Sequence, residues 1–545
     1  MTRPHLGPAL ASALALLASC GGETSEPLPE PELTYVHAPG IRLTRMTVNQ
    51  GVQVELVRGN EVAEASSYNV PLLEGRAMLV RAHYSVHADF EARELLAKLT
   101  IESPSEGVDD VVQDSIVEVK GDSVESSLHQ TFAWYLEPDM VVDGLRLRVD
   151  VYETTPYEPG TEPEPEPAAE GAARVDAPAL PWAAWDAALT ADPDPMQIHV
   201  VLVPIEHHWG DCVSDASVPD AEVEAMRKEL EQNNPVQVAK LSVREPLVWT
   251  ETIGESEAGF SPILTALSML HVDDEAAPYE YYFGLITTCD GYPSGLLGQA
   301  IAIPSEVDPG LGYQRVSAGR YSGDGQAAAE TFVHEVGHTQ GRRHVRCSGE
   351  AGVDPAYPYS GGVTGVWGFG IHDLRLRSPA GSRDYMTYCA NEWVSDYGYN
   401  QVWPVIETLT EWALEDEAAS SGGQGLRAWS VTDFDEILVG ALYVDGTIDW
   451  WTTRGSISGV MSSTASIAWE LDGEHLNMPV WISPRGDDET LNFAAVLPEG
   501  ELDEALFSLE LEGPELEGIE LAGGSPGPAI AFDGLHRAPG DATPN

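Results

Sequence analysis

The feature that most constrains this chain is the run from Glu330 to Cys347, E-T-F-V-H-E-V-G-H-T-Q-G-R-R-H-V-R-C. His334, Glu335 and His338 spell H-E-x-x-H, and Gly341 and His344 extend the pattern to H-E-x-x-H-x-x-G-x-x-H. Positions i and i+4 lie on one face of a helix, so the first two imidazoles can reach one point in space. A helix is what the local sequence favours. Ala327, Ala328 and Ala329 are strong helix formers, Phe332, Val333 and Val336 supply an apolar face, and Gly341 is a natural stop. A glycine three residues past His338 lets the chain leave the helix sharply, and His344 then swings back. Three neutral imidazoles with one position open suit a single catalytic zinc ion. Glu335 stands beside them without being needed as a ligand, which suits a general base. Requiring Gly341 and His344 along with H-E-x-x-H lowers the odds of a chance match to on the order of 10⁻⁴.

A second motif lies downstream, Asp384-Tyr385-Met386-Thr387-Tyr388-Cys389. With these two motifs the chain resembles the metzincin clan of zinc endopeptidases, in which a Met-turn follows the third histidine. The resemblance implies that His334, His338 and His344 hold the metal and that Met386 forms an apolar floor beneath it. It also makes Tyr388 a candidate to coordinate the metal or stabilise the oxyanion, as a tyrosine does in the astacin-like and serralysin-like branches. In this clan an extended substrate pairs with an edge strand above the cleft, and Leu296–Ile303 is placed to be that strand. The resemblance spans roughly residues 177–417, with specific motifs only at 334–344 and 384–389. There are departures. Val345, after the third histidine, matches no branch, and Arg342 and Arg343 put two bulky cations in the loop before it. No cysteine lies between residues 41 and 157, so a thiol latch on the metal from that segment is excluded. His344 makes a downstream glutamate ligand superfluous. His207-His208 and His372-Asp373 are weaker candidates, because isolated histidines in loops usually serve as ordinary polar groups.

The N-terminus sets the compartment. Arg3 precedes an apolar run from Leu6 to Leu17, and the run ends in Leu17-Ala18-Ser19-Cys20. A basic start, a short apolar core and small residues before the break describe a secretory signal. The ending resembles the bacterial lipobox, with Cys20 lipidated as the first mature residue and the protein held at the outer membrane or cell surface by acyl chains. Four further cysteines, Cys212, Cys289, Cys347 and Cys389, suggest two disulfides in an exported protein, and they allow three pairings. One of these, Cys347–Cys389 with Cys212–Cys289, would staple two walls of the candidate site. The 28 Lys+Arg against 88 Asp+Glu give a net charge of −60, which argues against nucleic acid or an anionic membrane surface as partner. Its plainest meaning is a solubility or salt-adapted surface.

A chain of 545 residues calls for several domains. Residues 1–20 read as the lipoprotein signal and 21–40 as a Gly/Glu/Pro-rich tether. From 41 to 157 short runs alternate with period two, the pattern of a β-sandwich. A Pro/Glu-rich linker at 158–176 leads into a zinc-peptidase domain at 177–419, where buried strands at Ile198–Ile205 and Tyr281–Ile286 alternate with helices. Alternating runs return over 426–536, before a frayed tail at 537–545. The fold class expected is multidomain: a central α+β, metzincin-like catalytic domain with an α/β-type upper lobe, flanked by two all-β, sandwich-like domains. The function expected is a zinc endopeptidase acting on protein or peptide substrates. Its rival is a non-catalytic surface lipoprotein with a structural zinc and ligand-binding β-domains.

Overall fold

The alternating runs of the first 157 residues become two antiparallel sheets. In one, strands follow the order Glu61–Val62, Gln53–Arg58, Ile41–Asn49, Met78–Val86, Phe132–Leu136. In the other the order is Val111–Val119, Arg93–Glu102, Arg146–Glu153, Ala187–Ala188. Their inward residues, among them Met46, Val48, Val80, Leu95, Leu99 and Val149, fall in one apolar cluster, as two facing sheets require. The last strand departs from expectation. Ala187–Ala188 lies in the stretch assigned to the peptidase segment yet pairs with Arg146 and Leu147. The computed structural model describes residues 35–157, 195–420 and 429–497 apart from short gaps, with strands also at Ala187–Ala188, Leu506–Leu511 and Ile530–Phe532. The signal with Cys20, most of the tether, the 158–176 linker and the 537–545 tail lie outside the described residues.

The central unit is built on a mostly parallel sheet. Its main strands are β1 (Gln197–Trp209), β2 (Val238–Val243), β3 (Leu247–Trp249), β4 (Glu280–Ile286), β5 (Gly298–Ala300) and β6 (Val316–Arg320), and the short strand Cys212–Val213 pairs antiparallel with the end of β1. β2 and β3 pair in turn with β1, and β1, β4 and β6 follow in parallel. β5 closes the order antiparallel to β6. The helices are α1 (Asp220–Asn233), α2 (Ser261–Asp273), α3 (Gly325–Thr339) and α4 (Asp396–Ala419). Period-two alternation sorts the strand residues between the faces. Val200, Leu202, Tyr281, Phe283 and Leu285 join α1, α3, α4 and the N-terminal sheets in one core. Val203, Ile205, Tyr282, Ile286 and Ala318 join α2 in another. Gly284 fits here because a Cβ would stand 2.7 Å from Leu267 Cδ1 and 3.0 Å from Ala318 Cβ.

The C-terminal strands, in the segment expected to be an all-β unit, form one seven-stranded antiparallel sheet among the described residues. The long hairpin Met461–Leu471 with Glu474–Pro484 lies inside it, and Leu491–Val496 and Leu506–Leu511 attach to its two sides, so one ladder takes all the strands. This sheet is docked on the second core through Ile437, Val439 and Trp451. Asn492 Nδ2 donates to Ile301 O at 2.8 Å and Ser456 N to Gly310 O at 2.8 Å. The chain is multidomain and mostly β, with the helices gathered around one sheet.

The N-terminal sheets are bound to the central unit by more than apolar contact. Arg76, 2% exposed, donates to Gln50 O, to Glu231 O at the end of α1, and to Val236 O. Trp393 Nε1 donates to Gly51 O at 2.7 Å, Gln53 N to Trp367 O at 2.8 Å, and Tyr135 Oη to Ile371 O at 3.2 Å. These bonds reach the segment between His344 and α4.

Candidate metal centre

α3 delivers the first two histidines, and the way it ends delivers the third. Gly341 takes φ +89°, a conformation that costs a residue without Cβ little, and a Cβ there would stand 2.9 Å from Pro304 O. Gly341 N donates to His338 O at 2.8 Å and Arg342 N to Gly337 O at 3.0 Å. This pair of bonds is the Schellman ending, which closes the helix and reverses the chain. The reversal brings His344 back against the helix, its ring centroid 4.6 Å from that of His338 and 5.4 Å from that of His334.

Each imidazole is oriented by a backbone carbonyl. His334 Nδ1 lies 2.7 Å from Tyr385 O, His338 Nδ1 2.7 Å from Arg342 O, and His344 Nδ1 2.8 Å from Ala351 O. A carbonyl oxygen can only accept, so each Nδ1 carries the proton and each Nε2 presents a lone pair. The ligand atoms of the three rings lie within 4.8 Å of one another. His338 Nε2 and His344 Nε2 are 3.2 Å apart, close to the separation of two nitrogens each about 2.0–2.1 Å from one tetrahedral ion. The rings are at most 8% exposed, so the donor set is preformed and shielded from water. These residues fit a zinc ion.

Glu335, 4% exposed, is packed beneath β5. A Cβ on Gly298 would lie 2.5 Å from Glu335 Oε1, so the glycine is what lets the carboxylate sit under the edge strand. β5 is the terminal strand of its sheet among the described residues and falls within the expected Leu296–Ile303 run.

The downstream motif closes the site from below. Met386 is fully buried, and Val345 N donates to its carbonyl at 2.8 Å. A Cβ on Gly337 would stand 2.7 Å from Met386 Sδ, so the glycine within H-E-V-G-H admits the methionine against the helix. The Tyr388 ring lies 4.7 Å from His344 and 6.0 Å from His334, centroid to centroid, and is 55% exposed.

The disulfides Cys347–Cys389 and Cys212–Cys289 are both formed, the pairing that staples the walls. Cys347, Cys389 and Glu350 bring their ligand atoms together as well. The sulfurs are bonded to each other, and Glu350 accepts from the N–H groups of Cys347, Ser348 and Tyr388. That group is a staple, not a second metal site. Burial alone would raise the Glu350 carboxyl, but the backbone donors, Tyr388 foremost, hold it below its ordinary value.

Sequence reading missed the buried pair Arg342–Asp384, 2.9 Å apart at 1% and 0% exposure. Arg342 stood out in the sequence only as an ill-fitting cation. Burial is the largest single effect and opposes its charge, but Asp384, Tyr385 and Tyr357 together hold the guanidinium above its ordinary value. Asp384 also accepts from Met386 N and from the Ser395 hydroxyl that caps α4. One ion pair therefore ties the loop carrying the His338 acceptor to the methionine turn and the last helix. Gly398 makes room for it, since a Cβ there would stand 2.3 Å from Arg342 Nη1.

The weaker candidates lie elsewhere. His207 is bonded to Glu251 O and Cys289 N, and His372 to Glu231. Neither belongs to the three-histidine group.

Three carbonyl-oriented imidazoles with a buried carboxylate alongside are the equipment of a metallopeptidase. The comparison with known families agrees: residues 288–400 match the family model Peptidase M66. The matched stretch includes β5, α3, all three histidines and the methionine turn. No curated protein matches the chain.

Proposed function

We propose that this chain is an exported, lipid-anchored zinc endopeptidase of metzincin type, acting on protein or peptide substrates. The observation that carries the chemistry is the set of three Nε2 lone pairs, fixed by Nδ1–carbonyl bonds, beside the buried Glu335 carboxylate. A zinc ion held by His334, His338 and His344 would lower the pKa of a water to about 7 and polarise the scissile carbonyl. Glu335 takes the proton of that water as it attacks and passes it to the leaving amine. Tyr388 donates its hydroxyl proton in a hydrogen bond to the developing oxyanion. Met386 keeps the floor apolar, and β5, the terminal strand of its sheet among the described residues, is placed to pair with an extended peptide.

Export is supported by the apolar N-terminal run and by two disulfides, which belong to an oxidising compartment. Those bridges use four of the five cysteines and leave Cys20 in its lipobox-like setting. No described helix is long and apolar enough to cross a membrane.

The test is metal content together with casein cleavage, for the full chain and for Glu335→Ala. One zinc in both, with cleavage lost only in the variant, is expected. A wild type that holds zinc but hydrolyses nothing in a broad peptide library would establish the structural-zinc alternative. Metabolic labelling with a fatty acid, lost in Cys20→Ser, tests the anchor.

A further inference from the structure

We propose that Glu350 is the positioning residue for Tyr388, holding the phenol over the imidazoles through a carboxylate clasp on the backbone. The inference rests on the role given to Tyr388 above.

The argument begins with what could hold Tyr388 in place. Its ring is more than half exposed, so core packing contributes little to where it sits. Its backbone is held from several sides instead. Tyr388 N donates to Glu350 Oε1 at 3.0 Å, while Glu350 Oε2 accepts from Cys347 N at 3.0 Å and Ser348 N at 2.7 Å. The next residue, Cys389, is tied by its disulfide to Cys347. One buried carboxylate thus joins the strand of chain leaving His344 to the strand leaving Met386, and the bridge crosses at the same place. The residue after Glu350 adds a further link, because Ala351 O accepts from His344 Nδ1. Two consecutive residues therefore fix both partners of the His344–Tyr388 ring contact. Three N–H donors on one carboxylate are charge-assisted bonds, roughly twice as strong as neutral ones. A neutral amide can replace the acceptor towards Tyr388 but cannot accept at its nitrogen from Cys347 and Ser348.

A carboxylate that acts through Tyr388 predicts a specific non-additivity. The experiment measures kcat and KM on casein, zinc content and melting temperature for Glu350→Ala, Glu350→Gln, Tyr388→Phe and the two double variants. Tyr388→Phe should lower kcat by ~10²-fold, as loss of an oxyanion donor does. Glu350→Ala should lower kcat by ~10-fold or more, and Glu350→Gln by less, with KM within about twofold and one zinc retained. In the Tyr388→Phe background neither Glu350 change should lower kcat by more than about twofold. Losses of equal size in both backgrounds would overturn the proposal and leave the role of Tyr388 standing. A Tyr388→Phe enzyme as fast as wild type would overturn the role of Tyr388 and the proposal with it. Should Glu350→Ala fail to fold or bind zinc, Glu350→Gln decides. If that variant also loses zinc, Glu350 holds the metal loop rather than the phenol, and the proposal falls.

Discussion

Gly298→Ala adds a single methyl group and should disable the site without removing the metal. The new Cβ would lie 2.5 Å from Glu335 Oε1, 2.6 Å from Glu335 Cγ and 2.7 Å from Thr331 Cγ2. Ordinary contacts between such atoms run about 3.5–4.0 Å, so something must yield by about 1 Å. The carboxylate tip alone cannot absorb this, because Glu335 Cγ is in the way as well. Thr331 cannot absorb it either, being β-branched and stiff at χ1 on a packed helix. Either Glu335 leaves its rotamer or β5 lifts away from α3. Overpacking of this kind costs ~1–3 kcal/mol of stability, which a folded protein of this size should survive. The catalytic effect is larger, since misplacing a reacting group by ~1 Å can cost ~10²-fold in rate. The histidines take no part in the collision, so zinc content should stay at one per chain. The assay is kcat on casein with metal analysis and a thermal melt, and Gly121→Ala, with nothing within 4 Å of its new methyl, is the control. A Gly298→Ala enzyme with wild-type kcat and bound zinc would falsify the assignment of Glu335 as the base beneath this strand.

Other outcomes follow from the same contacts. Asp384→Ala leaves the Arg342 guanidinium buried without its partner and should cost ~3–5 kcal/mol, read as a lower denaturant midpoint, whereas an unchanged midpoint would mean the pair is not buried in solution. Removing the Cys347–Cys389 bridge, whose ends are 42 positions apart in sequence, should cost ~4 kcal/mol by the chain-entropy estimate, and a Cys347→Ser/Cys389→Ser protein with the wild-type melting temperature would contradict it. His271 is held by burial at about 4, below its ordinary 6.5, and His199 likewise at about 4 by burial and then Lys240. The unfolded chain therefore binds these protons first as pH falls. The stabilisation is complete above pH 6.5 and declines towards pH 4, by roughly 3 kcal/mol for His271. Denaturation of the metal-free protein between pH 7 and 4 should show this slope, and His271→Gln should flatten it; a pH-independent midpoint would refute it.

The parts of the site that were legible in the sequence are those whose geometry is local. His334 and His338 are fixed by helical spacing, and Gly341 announces the Schellman ending that returns His344. Met386 and Tyr388 were singled out by the resemblance of the downstream motif to a Met-turn, not by any spacing of their own. What was hidden depends on partners distant in sequence. Arg342 is one residue among many cations until Asp384, 42 positions on, is seen beside it. Glu350 reads as a loop carboxylate until three backbone N–H groups converge on it. Gly298 reads as part of an apolar strand, and only the approach of α3 shows why no side chain is tolerated. The strand order of the C-terminal β-unit was hidden for the same reason. Alternation identifies strands, but it does not say which strand joins which ladder, and here the seven described strands all join one.

The N-terminal sheets bear on the site more directly than their lack of chemical motifs suggested. Trp393 is anchored to Gly51 O, and Tyr385 N donates to Trp393 O at 2.9 Å. Tyr385 O is in turn the acceptor for His334 Nδ1. A continuous chain of bonds thus runs from the turn after Ile41–Asn49, through the tryptophan, to the orientation of the first imidazole. Arg76 braces the same junction by donating to the end of α1, and α1 packs along α3. Because Arg76 donates only to carbonyls there, its removal would leave three buried acceptors unpaired, at ~1–3 kcal/mol each. An enzyme cut at the 158–176 linker would expose this junction and lose the anchor of the strand that aims His334. The N-terminal β-unit is therefore better regarded as part of the scaffold of the metal centre than as a detachable accessory.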